Sequence, residues 1–231
     1  MEGRMLVLDG LDGCGKTTQA ELLARRLEQV CPGRAHLISY PDYQSPSSAL
    51  VRMYLNGDFS SHPDGVNAYA ASTFYAVDRY AGFVQQWGEW YRRGDLILAC
   101  RYVTSNAIHQ MGKLPQEEWN GFLDWLEDFE YQKLGLPKPD LVCYLEMDRS
   151  VSEQLLENRY QGDSSRRDIH ERDRAYLEQC RRTADYAARR WNWRRISCSR
   201  DGQPLPVEKI HHLIWDLAQP LLETGQGGDT P

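Results

Sequence analysis

The chain has 231 residues, a formal net charge of −6 and an isoelectric point near 5.6. That acidic balance excludes a sequence-independent nucleic-acid binder, which needs a basic footprint for phosphates, although local basic clusters remain available to a small anionic ligand. The apolar run in MEGRMLVLDG is too short for a signal peptide and no run of about 18 apolar residues follows, so a soluble cytoplasmic protein with no membrane contact is expected.

Along the chain, short apolar runs bounded by turn residues alternate with longer amphipathic stretches, the pattern of a parallel sheet covered by helices. Met5–Asp9 is predicted as the first strand and Thr17–Val30 as the helix after it. Ala35–Tyr40 is the second strand, closed by Pro41 and the polar loop DYQSPSS. A long aromatic helix is predicted from about Val66 to Arg93, stopped by Gly94, and Asp95–Arg101 is the third strand. Pro115 opens another helix that ends near Gly135–Pro137. Asp140–Glu146 is the fourth strand, Arg195–Ser199 a shorter fifth, and Pro206–Leu222 the final helix. No linker or repeat divides this pattern, so residues 1–223 are expected as one domain and 224–231 as a frayed tail. Six scattered cysteines form no Cys-x-x-Cys pair. The even count leaves disulfides formally open, but several sit in apolar strands or helices, where a reduced cysteine acts as a small apolar residue.

Between the first strand and helix stands Gly10-Leu-Asp-Gly-Cys-Gly-Lys-Thr17, a match to G-x-x-x-x-G-K-[ST]. Glycines let successive backbone amides turn inward on phosphate oxygens. Lys16 carries a charge to the β and γ phosphates, Thr17 offers a hydroxyl to Mg²⁺, and the helix N-terminus adds its dipole. Gly10, Gly13, Cys14, Gly15, Lys16, Thr17 and Thr18 are therefore the expected cradle for MgATP. No Asn-Lys pair exists to read guanine, and the chain is short for a large ATPase. What remains is a small kinase with its acceptor in the crevice at the carboxyl ends of the strands.

Further segments carry a resemblance. DGLDGCGKTTQAELL, YPDYQSPSSALVRMYLNGDF, FYAVDRYAG, RYVTSNAIHQ and NRYQ…RRDIHERDRAYL occur in the order found in thymidylate kinases, over about Met5 to Ala188. The resemblance implies transfer of the ATP γ-phosphoryl to a deoxynucleoside monophosphate, normally dTMP. It also implies an α/β, three-layer P-loop NTPase fold with a five-stranded parallel sheet of order 2-3-1-4-5, and a homodimer. By position, Asp12 matches the carboxylate that accepts from the sugar 3′-hydroxyl and joins Lys16 and Arg101 among the catalytic candidates. Tyr75 matches the aromatic that stacks on the base and Arg79 the arginine that donates to a base carbonyl. Arg101 would hold the acceptor phosphate, while Ser105 and Gln110 would line the base pocket. Residues 158–174 resemble a mobile lid over ATP. Because Gly13 stands where some members place a catalytic arginine, Arg159, Arg166 and Arg167 are the candidate lid cations.

Three positions depart from the pattern, all on the acceptor or metal side. Tyr43 replaces an arginine expected on the acceptor phosphate. Cys100 replaces a magnesium-holding aspartate, leaving Asp9 as a possible substitute or as a buried strand-end acid. His109 stands where a tyrosine or phenylalanine commonly packs against the sugar. Two other readings therefore stay open: a nucleoside kinase using Asp9 or Asp12 as a base, and a nucleotide-binding protein with little catalysis. The apolar surplus of the Val66–Arg93 helix marks it as the expected dimer interface.

Overall fold

The computed structural model describes residues 2–160, 170 and 173–223. Its central sheet has the order β2-β3-β1-β4-β5, all parallel, as the resemblance implied. The strands are β1 (Arg4–Gly10), β2 (Ala35–Ser39), β3 (Leu96–Cys100), β4 (Leu141–Glu146) and β5 (Arg194–Ser197). The tail after residue 223 and most of the expected lid lie outside the described residues.

A central strand covered on both faces must be apolar on both, and β1 is. Leu6 and Leu8 pack with Leu23 and Leu27 of α1 (Lys16–Val30) and Ile214 of the C-terminal helix Val207–Glu223. Met5 and Val7 point the other way, to Trp87 and Tyr102. All six cysteines are free thiols, five of them buried.

The long aromatic helix is three segments. It starts as α3 (Ala68–Gly82), where the Asn67 side chain accepts from the Ala70 amide at 2.9 Å. It then widens into a π-helical turn, Phe83–Trp87, and finishes as α4 (Gly88–Arg92). Close packing shapes this stretch: a Cβ on Gly82 would stand 2.3 Å from the Tyr40 hydroxyl, which accepts from the buried Trp87 Nε1 at 2.7 Å. The helix predicted after Pro115 is likewise composite, with α6 (Trp119–Leu126) running into a π-helical stretch, Glu127–Lys133. Hydrophobic period alone does not register the extra residue of a π turn.

Helices α2 (Ala49–Asn56), α5 (Val103–His109) and α7 (Arg149–Tyr160), and the helix Arg174–Arg190, complete the layers. β5 ends at Ser197, two residues early. A short hairpin of β6 (Ser199–Arg200) and β7 (Gln203–Pro204) follows.

Candidate active site

The carboxyl ends of β1, β2 and β3 open into one cavity of about 670 Å³, a size typical of small-molecule sites. One end is the glycine loop between β1 and α1. Gly15 caps α1 at φ +86°, the left-handed region that only glycine enters without strain. Gly13 has φ +82°, and a Cβ there would lie 2.7 Å from the Ser152 carbonyl of α7. An arginine at this position would collide with that backbone, which is the physical meaning of the departure at Gly13. Asp12, Gly13, Gly15, Lys16, Thr17 and Thr18 all line the cavity; Gly10 and the buried Cys14 lie behind them as the loop's support.

Lys16 is almost fully buried and folds back on its own loop, donating from Nζ to the Leu11 carbonyl at 2.9 Å and lying 3.5 Å from Asp12 Oδ1. Asp12 also accepts from Arg101 Nη2 in a tight ion pair. Burial alone would raise the Asp12 carboxyl, but Arg101 and then Lys16 outweigh it and hold the group well below the usual carboxylate range. The loop's acid thus shields two cations from each other.

Arg101 follows β3 at φ +67°, a sparsely populated conformation for a residue with a side chain. That turn ends the strand at Cys100, one residue before the predicted boundary. Its amide bonds to the Leu8 carbonyl at 3.0 Å, and the reversal swings the guanidinium across to the loop. Nη1 lies 3.2 Å from His109 Nε2, 3.5 Å from Ser105 Oγ and 3.7 Å from Asp9 Oδ1.

Asp9 is fully buried and accepts from the Gly10 amide, Thr104 Oγ1 and Ser105 Oγ at 2.8, 2.6 and 2.7 Å. It does not line the cavity wall and stands as a buried acid at the end of β1. Ser105 keeps its place in the wall, but its hydroxyl hydrogen is committed to Asp9.

The far end is built by Tyr43, Leu55, Tyr75, Asn106, His109 and Gln110, with His170 over it. Gln110 is fully buried, and neither amide atom has a hydrogen-bond partner among the described residues. Such an orphaned amide costs about 1–3 kcal/mol unless a ligand satisfies it. Asn106 was not singled out from sequence. Its Nδ2 donates to the Ser72 carbonyl and to Glu130 Oε1, at 3.2 and 3.0 Å. Both amide hydrogens are therefore used, and Oδ1 remains as the acceptor. Tyr43 is more than half exposed at the rim.

Arg79 lies behind the far wall. It does not line the cavity: it is 1 % exposed and its Nε and Nη2 both bond Glu130 at 2.7 Å. It stands behind Asn106 instead of presenting its fork to a ligand. Nothing in the sequence marks Glu130 within EDFE as the buried partner; the π-helical stretch it sits on brings it inward.

His170, from the stretch read as a lid, is buried against this end. Its Nε2 is 2.9 Å from the Tyr54 hydroxyl, and its ring stacks on His109 with centroids 5.7 Å apart. Burial, and then Lys113, push His170 down to about 3; burial, and then Arg101, likewise lower His109. Lys113, donating to the Tyr54 hydroxyl at 2.8 Å, is itself brought down to about 8 by burial. Of the lid candidates, Arg159 lies in the last turn of α7, while Arg166 and Arg167 lie outside the described residues.

A family model described as thymidylate kinase matches residues 8–210, spanning the loop, Arg101 and the cavity's far wall. The chain belongs to the thymidylate kinase family. It is an ATP-dependent nucleoside monophosphate kinase. Over 206 residues the kinase is 32% identical to the thymidylate kinase of Mycobacterium tuberculosis (strain H37Rv), covering 87% of this chain and 93% of that one. It is 30% identical over 230 residues to that of Synechococcus sp. (strain RCC307), covering 96% and 99%. The thymidylate kinase structure from Candida albicans superposes with a TM-score of 0.71 at 21% identity, covering 99% of this chain and 96% of that one, which supports the fold. Among the kinase's described residues no helix is long and apolar enough to cross a membrane.

Proposed function

We propose that this kinase transfers the γ-phosphoryl group of ATP to dTMP, giving ADP and dTDP. The observation that carries this reading is one shared cavity in which Arg101, following β3, stands between the glycine loop and the Gln110 amide, which has no partner among the described residues. A triphosphate suits the loop end. At the other end, Asn106 and Gln110 together offer acceptors and a donor to a base that bears N–H and C=O on one edge, as thymine does. Tyr75 in the same wall suits stacking on that base.

The acceptor phosphate, with a second pKa near about 6, is already a nucleophile and needs no general base. The side chains agree with this. Asp9 is saturated by donors, and Asp12 is held ionised between cations, a poor proton acceptor. That argues against the nucleoside-kinase reading, which requires a base beside a 5′-hydroxyl.

Arriving phosphates compete with Asp12 for its two cations. Lys16 turns from the Leu11 carbonyl to the β and γ oxygens, Arg101 grips the acceptor phosphate, and Asp12 is released to accept from the sugar hydroxyl. With Gly13 leaving the loop without its own arginine, a cation from Arg159, Arg166 or Arg167 completes charge neutralisation. Magnesium suits this site as a passenger on ATP. Among the described residues no cluster of three or more His, Cys, Asp and Glu could hold a metal, and Cys100, whose thiol burial pushes up, is a poor donor to a hard cation. Thr17 supplies the protein oxygen, and the ion would offset charge on the transferring phosphoryl.

Val77, Tyr80 and Val84 are exposed at helical spacing along α3 and the π turn, which supports a homodimer through this face. Free thiols throughout suit the reducing cytoplasm. Incubation with MgATP and a panel of nucleoside monophosphates and nucleosides, scored as ADP, tests the assignment. ADP release with dTMP is expected, whereas a response confined to nucleosides would replace this reading with a nucleoside kinase.

A further inference from the structure

We propose that His109 is a positioning residue that fixes the Arg101 guanidinium for the acceptor phosphate, acting through the lone pair of its Nε2. Arg101 leaves β3 in a left-handed conformation, so the ladder does not orient its side chain and contacts must do so. Nη2 is held by Asp12, while His109 Nε2, at 3.2 Å, is the nearest side-chain partner of Nη1. Ser105 Oγ at 3.5 Å is at the limit of a hydrogen bond and already donates to Asp9.

The geometry decides the tautomer. A guanidinium has donors and no acceptor, so His109 Nε2 must present its lone pair and Nδ1 must carry the proton. Nδ1 faces Cys180 Sγ at 3.7 Å, where sulfur serves as a weak acceptor. The ring stacks on His170 and on Tyr176, with centroids 5.7 and 6.4 Å apart, while the Tyr176 hydroxyl holds the backbone beneath it by donating to the His109 carbonyl at 2.6 Å. Burial and the neighbouring Arg101 keep the imidazole neutral.

Neutrality is the useful property. A carboxylate here would cancel the charge of Arg101, and an ammonium would repel it. A neutral imidazole orients the fork and leaves its full positive charge for a phosphate. When substrate draws Asp12 toward the sugar, His109 remains as the partner that keeps Nη1 aimed. An aromatic hydrocarbon of similar size cannot do this.

The inference rests on the reading of Arg101 as the acceptor-phosphate residue, and its test separates the two. Steady-state kinetics with MgATP and dTMP compare the wild type, His109→Phe and His109→Gln, whose amide oxygen can still accept. Loss of a hydrogen bond to a charged group should raise the KM for dTMP in His109→Phe by about tenfold or more, with the KM for ATP within about twofold of wild type. His109→Gln should recover most of that loss. A wild type that releases no ADP with dTMP would overturn the functional reading. An active wild type with an unchanged dTMP KM in His109→Phe, or a His109→Gln as impaired as His109→Phe, would overturn the positioning role. Should neither variant fold, ¹⁵N NMR of the wild type at neutral pH decides. Protonated Nδ1 with unprotonated Nε2 is expected, and the opposite tautomer or an imidazolium would sink the proposal.

Discussion

Asp12 sits between Lys16 and Arg101, and most of what single residues do here follows from that. On the proposed reading the two cations serve opposite ends of the reaction, and the carboxylate, with its single negative charge, offsets part of their combined charge until phosphates arrive. Lys16→Ala removes the charge that reaches the β and γ oxygens, so kcat should fall by at least about 10²–10³-fold. The melting temperature should stay within about 2 °C, because among the described residues Lys16 makes its hydrogen bonds within its own loop. A variant that melts normally and retains full activity would contradict the role. Arg101→Lys keeps a charge but loses the planar fork, so the KM for dTMP should rise by about tenfold in an assay where the KM for ATP barely moves. The glycine-loop residues were legible from sequence because a phosphate cradle constrains residue type at each position. Asn106 and the pairing of Arg79 with Glu130 were not, since an amide's orientation and an arginine's partner depend on Glu130, about 24 and 51 positions away along the chain.

At the scale of elements, two π-helical stretches carry side chains into places that regular helices would miss. Phe83–Trp87 delivers Trp87 to Tyr40, and Glu127–Lys133 delivers Glu130 to Arg79 and Asn106. Glu130→Ala strands a buried guanidinium, which should cost about 3–5 kcal/mol in chemical denaturation. It should also weaken dTMP binding more than ATP binding, because Asn106 loses its orientation. Wild-type stability in that variant would show that Arg79 finds another partner. The sequence read each stretch as one helix, correctly as to mass and span. It could not show the wider turns; the first of them is flanked by Gly82 and Gly88, where a Cβ would stand 2.3 Å from the Tyr40 hydroxyl and 2.4 Å from the Phe83 carbonyl oxygen.

For the molecule as a whole, the buried imidazoles tie stability to pH. His170 is held near 3 when folded and returns to about 6.5 when unfolded, so the unfolded state binds the extra proton first. Its contribution is complete above about pH 6.5 and declines as pH falls toward about 3. Among the described residues Lys113, Arg101, Asp12, His109, Tyr54 and Tyr176 face it, and Lys113 and Arg101 oppose its protonation. Between pH 6.5 and 5 the wild type should lose up to about 2 kcal/mol more than His170→Gln. Equal losses by denaturant titration at the two pH values would place the sensitivity elsewhere. The exposed stripe along α3 and the π turn supports a second whole-molecule expectation: Val84→Asp, at a position 58% exposed in that turn, should shift the mass measured by light scattering from dimer to monomer without loss of fold.

By itself the sequence determined the α/β class, the strand cores and the phosphate-binding loop, because these rest on local period and on residue types that the chemistry cannot exchange. The resemblance carried the strand order and the acceptor. Tertiary structure alone decided which way the acids and arginines face: Asp9 inward to Thr104 and Ser105, Arg79 inward to Glu130, Arg101 outward across the loop to Asp12. Those directions depend on which distant group can satisfy each buried charge, and no local pattern in a chain records a partner that arrives only when the sheet has closed.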